Sequence, residues 1–287
     1  MPKRKTRPKD TGLGGKDLFD VAGSIVAITG GAGVLGTAIA RGLAGCGAKV
    51  AILDIVAEAA EKLAAEIKSA GGEAAAVHAN VLAKDSVSAA LQQTLQAFGR
   101  VDVLINGAGG NKPEATCKLP EKTFFDLPED AFRWVADLNL LGTVLPSQVF
   151  GRHMAERGQG VILNISSMTA LRPLTNIAAY SAAKAAVSNF TQWLAVYMAQ
   201  NHSTKIRVNA IAPGFFLTQQ NRFLLIDETS GELTARGRQI IAHTPAGRFG
   251  EPAELLGTIV WLISEAGRFV NGCVVPVDGG FNAYSGV

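Results

Sequence analysis

Ser24-Ile-Val-Ala-Ile-Thr29 runs directly into Gly30-Gly-Ala-Gly-Val-Leu-Gly36, and the reading of this junction decides the fold. A short apolar run that stops at a glycine cluster reads as a strand buried on both faces. Helix-forming Ala and Leu follow at helical spacing from Val34 to Leu43. Gly31, Gly33 and Gly36 therefore spell G-x-G-x-x-G between a strand and a helix. Glycines there permit a tight turn and let the backbone approach a pyrophosphate whose charge the helix N-terminus stabilises. Asp54 closes the next apolar run, at the roughly 20-residue distance where a carboxylate meets a ribose 2′-hydroxyl. The same carboxylate repels a 2′-phosphate, so NAD is expected over NADP. A tight turn without a ligand accounts for the glycines alone; with Asp54 in register the nucleotide reading is the stronger one.

Outward from this junction the pattern repeats. Lys49–Asp54, Ala74–His78, Val101–Ile105, Gly160–Ile165, Ile206–Ile211 and Cys273–Val277 read as further strands. Helices are predicted between them at 57–70, 84–98, 129–156, 179–201 and 251–264. Such alternation implies a mostly parallel sheet with right-handed crossovers covering both faces. The expected fold is α/β: one doubly wound Rossmann domain of about seven strands over residues 20–287, after a flexible basic tail at 1–19.

The 287 residues carry a formal net charge of +3, but the excess is local. Lys3, Arg4, Lys5, Arg7, Lys9 and Lys16 face only Asp10 in the first sixteen residues, which leaves the remainder slightly acidic. A solvated tail explains this better than a nucleic-acid partner. No apolar segment follows these cations as in a secretory signal, and no uncharged run reaches the roughly 18 residues of a membrane span. Cys46, Cys117 and Cys273 have neither disulfide-scaffold count nor metal-ligand spacing, so no metal is expected and a cytoplasmic location is.

Tyr180-Ser-Ala-Ala-Lys184 puts a phenol and an ammonium on one helix face. The cation is expected to favour the phenolate and bring its pKa toward neutrality, as a general acid/base for an alcohol–ketone interconversion requires. Ser167, just past the fifth strand, can hydrogen-bond a substrate oxygen. Asn139 falls inside a predicted helix, where an amide has no local use. Asn106-Gly-Ala-Gly-Gly110 follows the fourth strand; it leaves room for a nucleotide or is an ordinary turn.

Taken together, the glycine loop, Asn106–Gly109, the Asn139 segment, Asn164-Ile-Ser-Ser167, Tyr180/Lys184 and Pro213-Gly214 resemble the short-chain dehydrogenase/reductase family, from about residue 20 to the C-terminus. The resemblance implies catalytic roles for Asn139, Ser167, Tyr180 and Lys184: Tyr180 as proton donor/acceptor, Ser167 polarising the reacting oxygen, Lys184 binding the nicotinamide ribose, and Asn139 holding a relay water. It implies that NAD lies against Gly30, Gly31, Gly33, Val34, Leu35, Gly36, Asp54, Asn80, Val81, Asn106, Gly107, Ala108, Gly109, Tyr180, Lys184, Pro213, Gly214, Phe216 and Thr218. Three departures stand out. Val34 occupies a position where the family has glycine, Asn80 stands where an aspartate is common, and Gly107 where a second Asn is usual.

Substrate choice falls to the loops. Gly110, Asn111, Arg172, Asn221 and Arg222 are the candidate substrate residues, the two arginines being suited to a carboxylate. Lys112 and His243 add polar groups, although each of these side chains alone also reads as an exposed loop residue. Segments such as Leu171–Thr175, Phe215–Leu225, Ala242–Gly250 and Phe281–Val287 resemble the D-mannonate oxidoreductase (fructuronate reductase) branch. That resemblance implies interconversion of D-mannonate and D-fructuronate, with another sugar acid, a polyol or a 3-oxoacyl group as alternative substrates and a non-catalytic nucleotide-binding module as a further reading. The family also implies a homotetramer. Phe190, Trp193, Val196 and Tyr197 on the 179–201 helix supply a face for it, or pack within the chain.

Overall fold

All five residues of β1 (Ile25–Thr29) are buried, as expected for a strand covered on both sides. The structure, a computed structural model, describes residues 14–217, 222–227 and 229–286. The tail expected at 1–19 lies outside these as far as residue 13, and Gly15–Leu18 makes a single helical turn. After β1 come α1 (Val34–Gly45), β2 (Lys49–Asp54), α2 (Ala57–Ser69), β3 (Glu73–His78), α3 (Lys84–Phe98) and β4 (Val103–Asn106). The second half holds α4 (Glu129–Ala136), α5 (Gly142–Arg157), β5 (Gly160–Ile165), α6 (Ala178–Asn201), β6 (Ile206–Pro213), α7 (Ala235–Ala242), α8 (Leu255–Ile263) and β7 (Val274–Val277).

The seven strands form one parallel sheet in the order β3-β2-β1-β4-β5-β6-β7. Side chains alternate between its faces. Val26, Ile28, Ile52, Ile105 and Leu163 pack against Ile39 and Leu43 of α1, Leu63 and Ile67 of α2, and Leu255, Ile259 and Leu262 of α8. Ala27, Leu53, Leu104, Ile162 and Val208 meet Val87 and Leu91 of α3, Phe150 and Met154 of α5, and Leu194 and Met198 of α6 on the other side. The order reverses between β1 and β4, so loops leaving their carboxyl ends diverge and open a crevice. Among the described residues no helix is long and apolar enough to cross a membrane.

The helix predicted over 129–156 runs from Glu129 to Arg157 with a π-helical turn inside it. α4 ends at Ala136, Asp137–Leu141 forms a π-helical turn, and α5 resumes at Gly142. β6 is two residues longer than predicted, and α7 was not read from the sequence.

Candidate active site

The crevice is built by contact between two strand-end loops. Gly30 has φ +62, and a Cβ on it would lie 2.8 Å from the Ala108 Cα, so the backbones touch where only glycine fits. Thr29 ties them further: its Oγ1 accepts from the Gly107 and Ala108 amides at 3.1 and 3.2 Å. Gly33 is the N-cap of α1 at φ −68 and offers no side-chain acceptor, so the first-turn N–H groups of this helix have no capping side chain. Such a terminus suits a pyrophosphate. Val34 begins the helix without a positive φ, which explains how valine stands where the resemblance expected glycine. Leu35 packs against the core beneath the loop.

At the end of β2 the Asp54 carboxylate accepts from Ala32 N and Val56 N, each at 3.0 Å. A carboxylate has about four acceptor sites, so capacity remains for a ribose. Beside it, Asn80 accepts from Leu82 N through Oδ1, which leaves its amide donors for an adenine edge, and Val81 is buried. Asn106 turns inward: its Nδ2 donates to Ser147 Oγ at 2.9 Å and Asn164 Oδ1 at 2.8 Å. Asn164 in turn donates to Thr191 at 2.8 Å, so a buried polar chain pins β4, β5, α5 and α6 behind the crevice.

α6 begins at Ala178 and raises Tyr180 and Lys184 one turn apart into this space. Lys184, 4% exposed, lies with its Nζ 5.6 Å from the Tyr180 ring centroid and donates to Ile165 O at 2.8 Å. Burial pushes the Lys184 ammonium down to about 8. Burial raises the Tyr180 phenol above its usual value, and the Ser167 hydroxyl beside it pulls it partly back. The expected shift of the phenol toward neutrality is therefore corrected. In the protein alone, desolvation of the phenolate outweighs the Ser167 hydrogen bond. Ser167 is buried and accepts from Thr169 N at 3.2 Å.

Asn139 sits in the π-helical turn, fully buried. Its Nδ2 donates to Gly110 O at 2.7 Å and Val135 O at 2.8 Å, and its Oδ1 accepts from Gly110 N at 3.1 Å. A π-turn releases a carbonyl from the helical ladder, and here the amide side chain takes it. Gly109 lies against both groups: a Cβ there would stand 2.6 Å from Asn139 Oδ1 and 3.1 Å from Lys184 Nζ. The structure thus brings Asn139, Ser167, Tyr180 and Lys184 together at the carboxyl edge of the sheet.

The substrate side is more dispersed. Arg172 is exposed on the turn after Ser167, and its Nη1 donates to Tyr284 O at 3.1 Å. Arg222 is also exposed, at the start of the helical turn Arg222–Leu225. Asn111 donates to Thr116 Oγ1 at 2.9 Å, and Lys112 lies 5.0 Å over the Trp134 ring. His243 Nδ1 is 2.9 Å from Gln239 O. Gly214 N donates to Val277 O at 2.9 Å at the end of β6, whereas Phe216 is buried in the core. Thr218 and Asn221 lie outside the described residues.

Comparison with known proteins decides the family: the short chain dehydrogenases match residues 24–228. The chain belongs to that family. It is an oxidoreductase, and it is 50% identical to an uncharacterised oxidoreductase of Bacillus subtilis, UxuB, over 93% of this chain and 98% of that one. A crystal structure from Haemophilus influenza of a candidate D-mannonate oxidoreductase with bound NAD is 49% identical, with TM-score 0.88 over 93% of this chain and 98% of that one. A gluconate 5-dehydrogenase from Burkholderia cenocepacia, in complex with NADP and tartrate, is 33% identical with TM-score 0.83 over 93% and 98% of the two chains.

Several residues that shape the site of this dehydrogenase escaped the sequence reading. The Tyr180 ring packs with Phe132 on a small cluster of Ala115, Val135 and Ala179, so the excursion after β4 and α4 hold the phenol. Ser166 bonds Lys184 O at 3.1 Å and Ser188 at 2.7 Å, which fixes the turn carrying Ser167. Apolar spacing around 131–135 was the available signal for the first; nothing in the sequence marks the second.

Proposed function

We propose that this dehydrogenase uses NAD to oxidise a secondary alcohol of a sugar acid, D-mannonate to D-fructuronate, or runs the reverse reduction. The carrying observation is the convergence of Ser167, Tyr180 and Lys184 beside the crevice at the β1/β4 reversal. The α1 N-terminus and Gly30–Gly36 would hold the pyrophosphate and Asp54 the adenosine ribose. Asn80 and Val81 would face the adenine, Asn106–Gly109 the central crevice, and Tyr180, Lys184, Pro213, Gly214 and Thr218 the nicotinamide end, with Phe216 packed in the core behind it. When bound, the nicotinamide supplies the hydride acceptor.

The chain's own groups handle the proton. Ser167 donates to the reacting oxygen while the Tyr180 phenolate accepts the hydroxyl proton as the carbon loses its hydride, leaving a ketone. Lys184 stays cationic below its lowered pKa of about 8 and stabilises the phenolate. Asn139 would hold a relay water through its remaining Oδ1 lone pair.

Support for NAD over NADP comes from the Asp54 charge, which disfavours a 2′-phosphate. Support for a sugar acid comes from Arg172 and Arg222, and from the relatives named for mannonate and gluconate chemistry. The face of α6 with stacked Phe190, Trp193 and Tyr197 supports a homotetramer. Trp193 is 57% exposed beside an open groove of about 930 Å³. The three unpaired cysteines suit the cytoplasm.

The test is a panel of D-mannonate, D-gluconate, D-mannitol and their keto forms with NAD and NADP. NAD-linked turnover of D-mannonate is expected, with Tyr180→Phe lowering kcat by about a thousandfold while NAD still binds. Turnover confined to uncharged alcohols, or a Tyr180→Phe enzyme that retains its rate, overturns the reading.

A further inference from the structure

The segment Asp278–Tyr284 is tied to the elements that flank the candidate site. Asp278 closes a tight turn, its carboxylate accepting from Gly280 N at 2.9 Å and Asn282 N at 2.8 Å. Ala246 N donates to Gly279 O at 3.0 Å, so the turn is seated on the segment that follows α7. From there four contacts reach three different segments. The Phe281 ring meets Phe215, just past β6, edge-on at 5.4 Å. Phe281 and Tyr284 both approach the His243 ring at the end of α7, at 6.4 and 6.3 Å. The Tyr284 carbonyl accepts from Arg172 Nη1 at 3.1 Å, and Arg172 follows Ser167 on the same turn, its own N–H bonded to Met168 O.

The Arg172 bond matters because of guanidinium geometry. An arginine recognises a carboxylate best through two parallel N–H groups on one edge. Holding Nη1 on a backbone carbonyl leaves the Nε/Nη2 edge for a second partner and removes side-chain rotational freedom before binding. A neutral carbonyl does this without cancelling the positive charge. We infer that Phe281–Tyr284 is a positioning strap that fixes Arg172 with its Nε/Nη2 edge presented to the substrate carboxylate. The strap acts through Arg172 on substrate affinity and leaves the proton-transfer groups untouched. This inference rests on the sugar-acid reading above.

The experiment compares the full chain, a chain ending at Gly280, Phe281→Ala, Arg172→Ala, and Arg172→Ala in the shortened chain. D-mannonate and D-mannitol oxidation are measured, together with calorimetric binding of D-mannonate to the enzyme–NADH complex. Shortening is expected to raise the KM and Kd for D-mannonate about tenfold, about 1.4 kcal/mol, with kcat within about threefold. Phe281→Ala should give a smaller rise in a chain with an intact backbone. Kinetics with D-mannitol and NAD affinity should not change, and shortening should add nothing once Arg172 is absent.

Equal losses for D-mannonate and D-mannitol, or losses that multiply with Arg172→Ala, would overturn the strap. So would an unchanged D-mannonate KM in the shortened chain while Arg172→Ala raises it, a result that leaves the sugar-acid reading standing. A full-length enzyme inactive on every carboxylate substrate, yet active on D-mannitol, removes that reading and the strap with it.

Discussion

Tyr180 and Lys184 face opposite pulls from the same enclosure. Burial disfavours the charged form of each, so the phenol rises and the ammonium falls to about 8. An acid–base pair of this kind is poised by whatever charge enters the crevice, and helical spacing alone could not reveal the desolvation that sets the starting point. Folding therefore carries a cost at Lys184 whose sign can be worked out. Below about pH 8 the ammonium is charged in both the folded and the unfolded chain, and the burial cost is fully present. Between about 8 and the ordinary lysine value the folded chain has shed the proton while the unfolded chain retains it. The unfolded state then binds more protons, so stability rises with pH across this window. Comparing denaturant midpoints of the wild-type chain and Lys184→Met from pH 7 to 10 isolates the effect. The wild type should gain stability relative to the variant as pH rises, by an amount on the order of 2–3 kcal/mol if most of the shift is expressed. A constant difference across that range removes the account.

At the scale of elements, the segment 129–157 shows what a hydrophobic pattern conveys and what it conceals. Ala131, Val135 and Phe150 sit at core positions, and a helix was legible there, as were all seven strands from short apolar runs. The π-turn at Asp137–Leu141 was not, because one extra residue in a helical ladder leaves the apolar periodicity on either side almost intact. What could be seen was its sign: an amide at Asn139 with no helical purpose. The structure gives that amide three bonds, two of them to Gly110 on the loop after β4. Asn139→Ala would remove the side-chain partner of the half-buried Gly110 N–H and C=O and of the buried Val135 carbonyl. A loss of about 2–4 kcal/mol is expected, from two or more groups at about 1–3 kcal/mol each with partial relaxation. Turnover should fall with it, because the loop carrying Gly109 packs on Lys184. Denaturant unfolding and steady-state rates, taken on Asn139→Ala and on the milder Asn139→Asp, check both parts. An alanine variant with unaltered stability would show that the π-turn is held by the helices flanking it.

Over the whole molecule, right-handed crossovers restrict the possible topologies to a few, which is why the strand–helix alternation gave a parallel doubly wound sheet, while the order β3-β2-β1-β4-β5-β6-β7 came from the structure. The outer faces of the helices are different. Apolar residues at helical spacing look alike whether they meet the sheet or another subunit, and only exposure in the folded chain separates them. Leu194 and Met198 of α6 prove to be core, whereas Trp193, Val196 and Tyr197 stand 57%, 56% and 40% exposed, with Phe190, Trp193 and Tyr197 stacked along one line. An apolar aromatic patch of this kind is a cost to a solitary chain in water and a gain if covered, at about 25 cal/mol for each square ångström removed. If α6 is the seam of the proposed tetramer, Trp193→Glu places a carboxylate where each subunit meets its neighbour, and on a two-fold axis that charge faces its own copy. Sedimentation should then show the wild-type tetramer replaced by dimers or single chains. NAD binding by the isolated subunit should persist, since the crevice at the β1/β4 reversal is formed within one chain. A Trp193→Glu protein that sediments as the wild type does would move the seam to another face and leave α6 with an exposed surface that assembly does not explain.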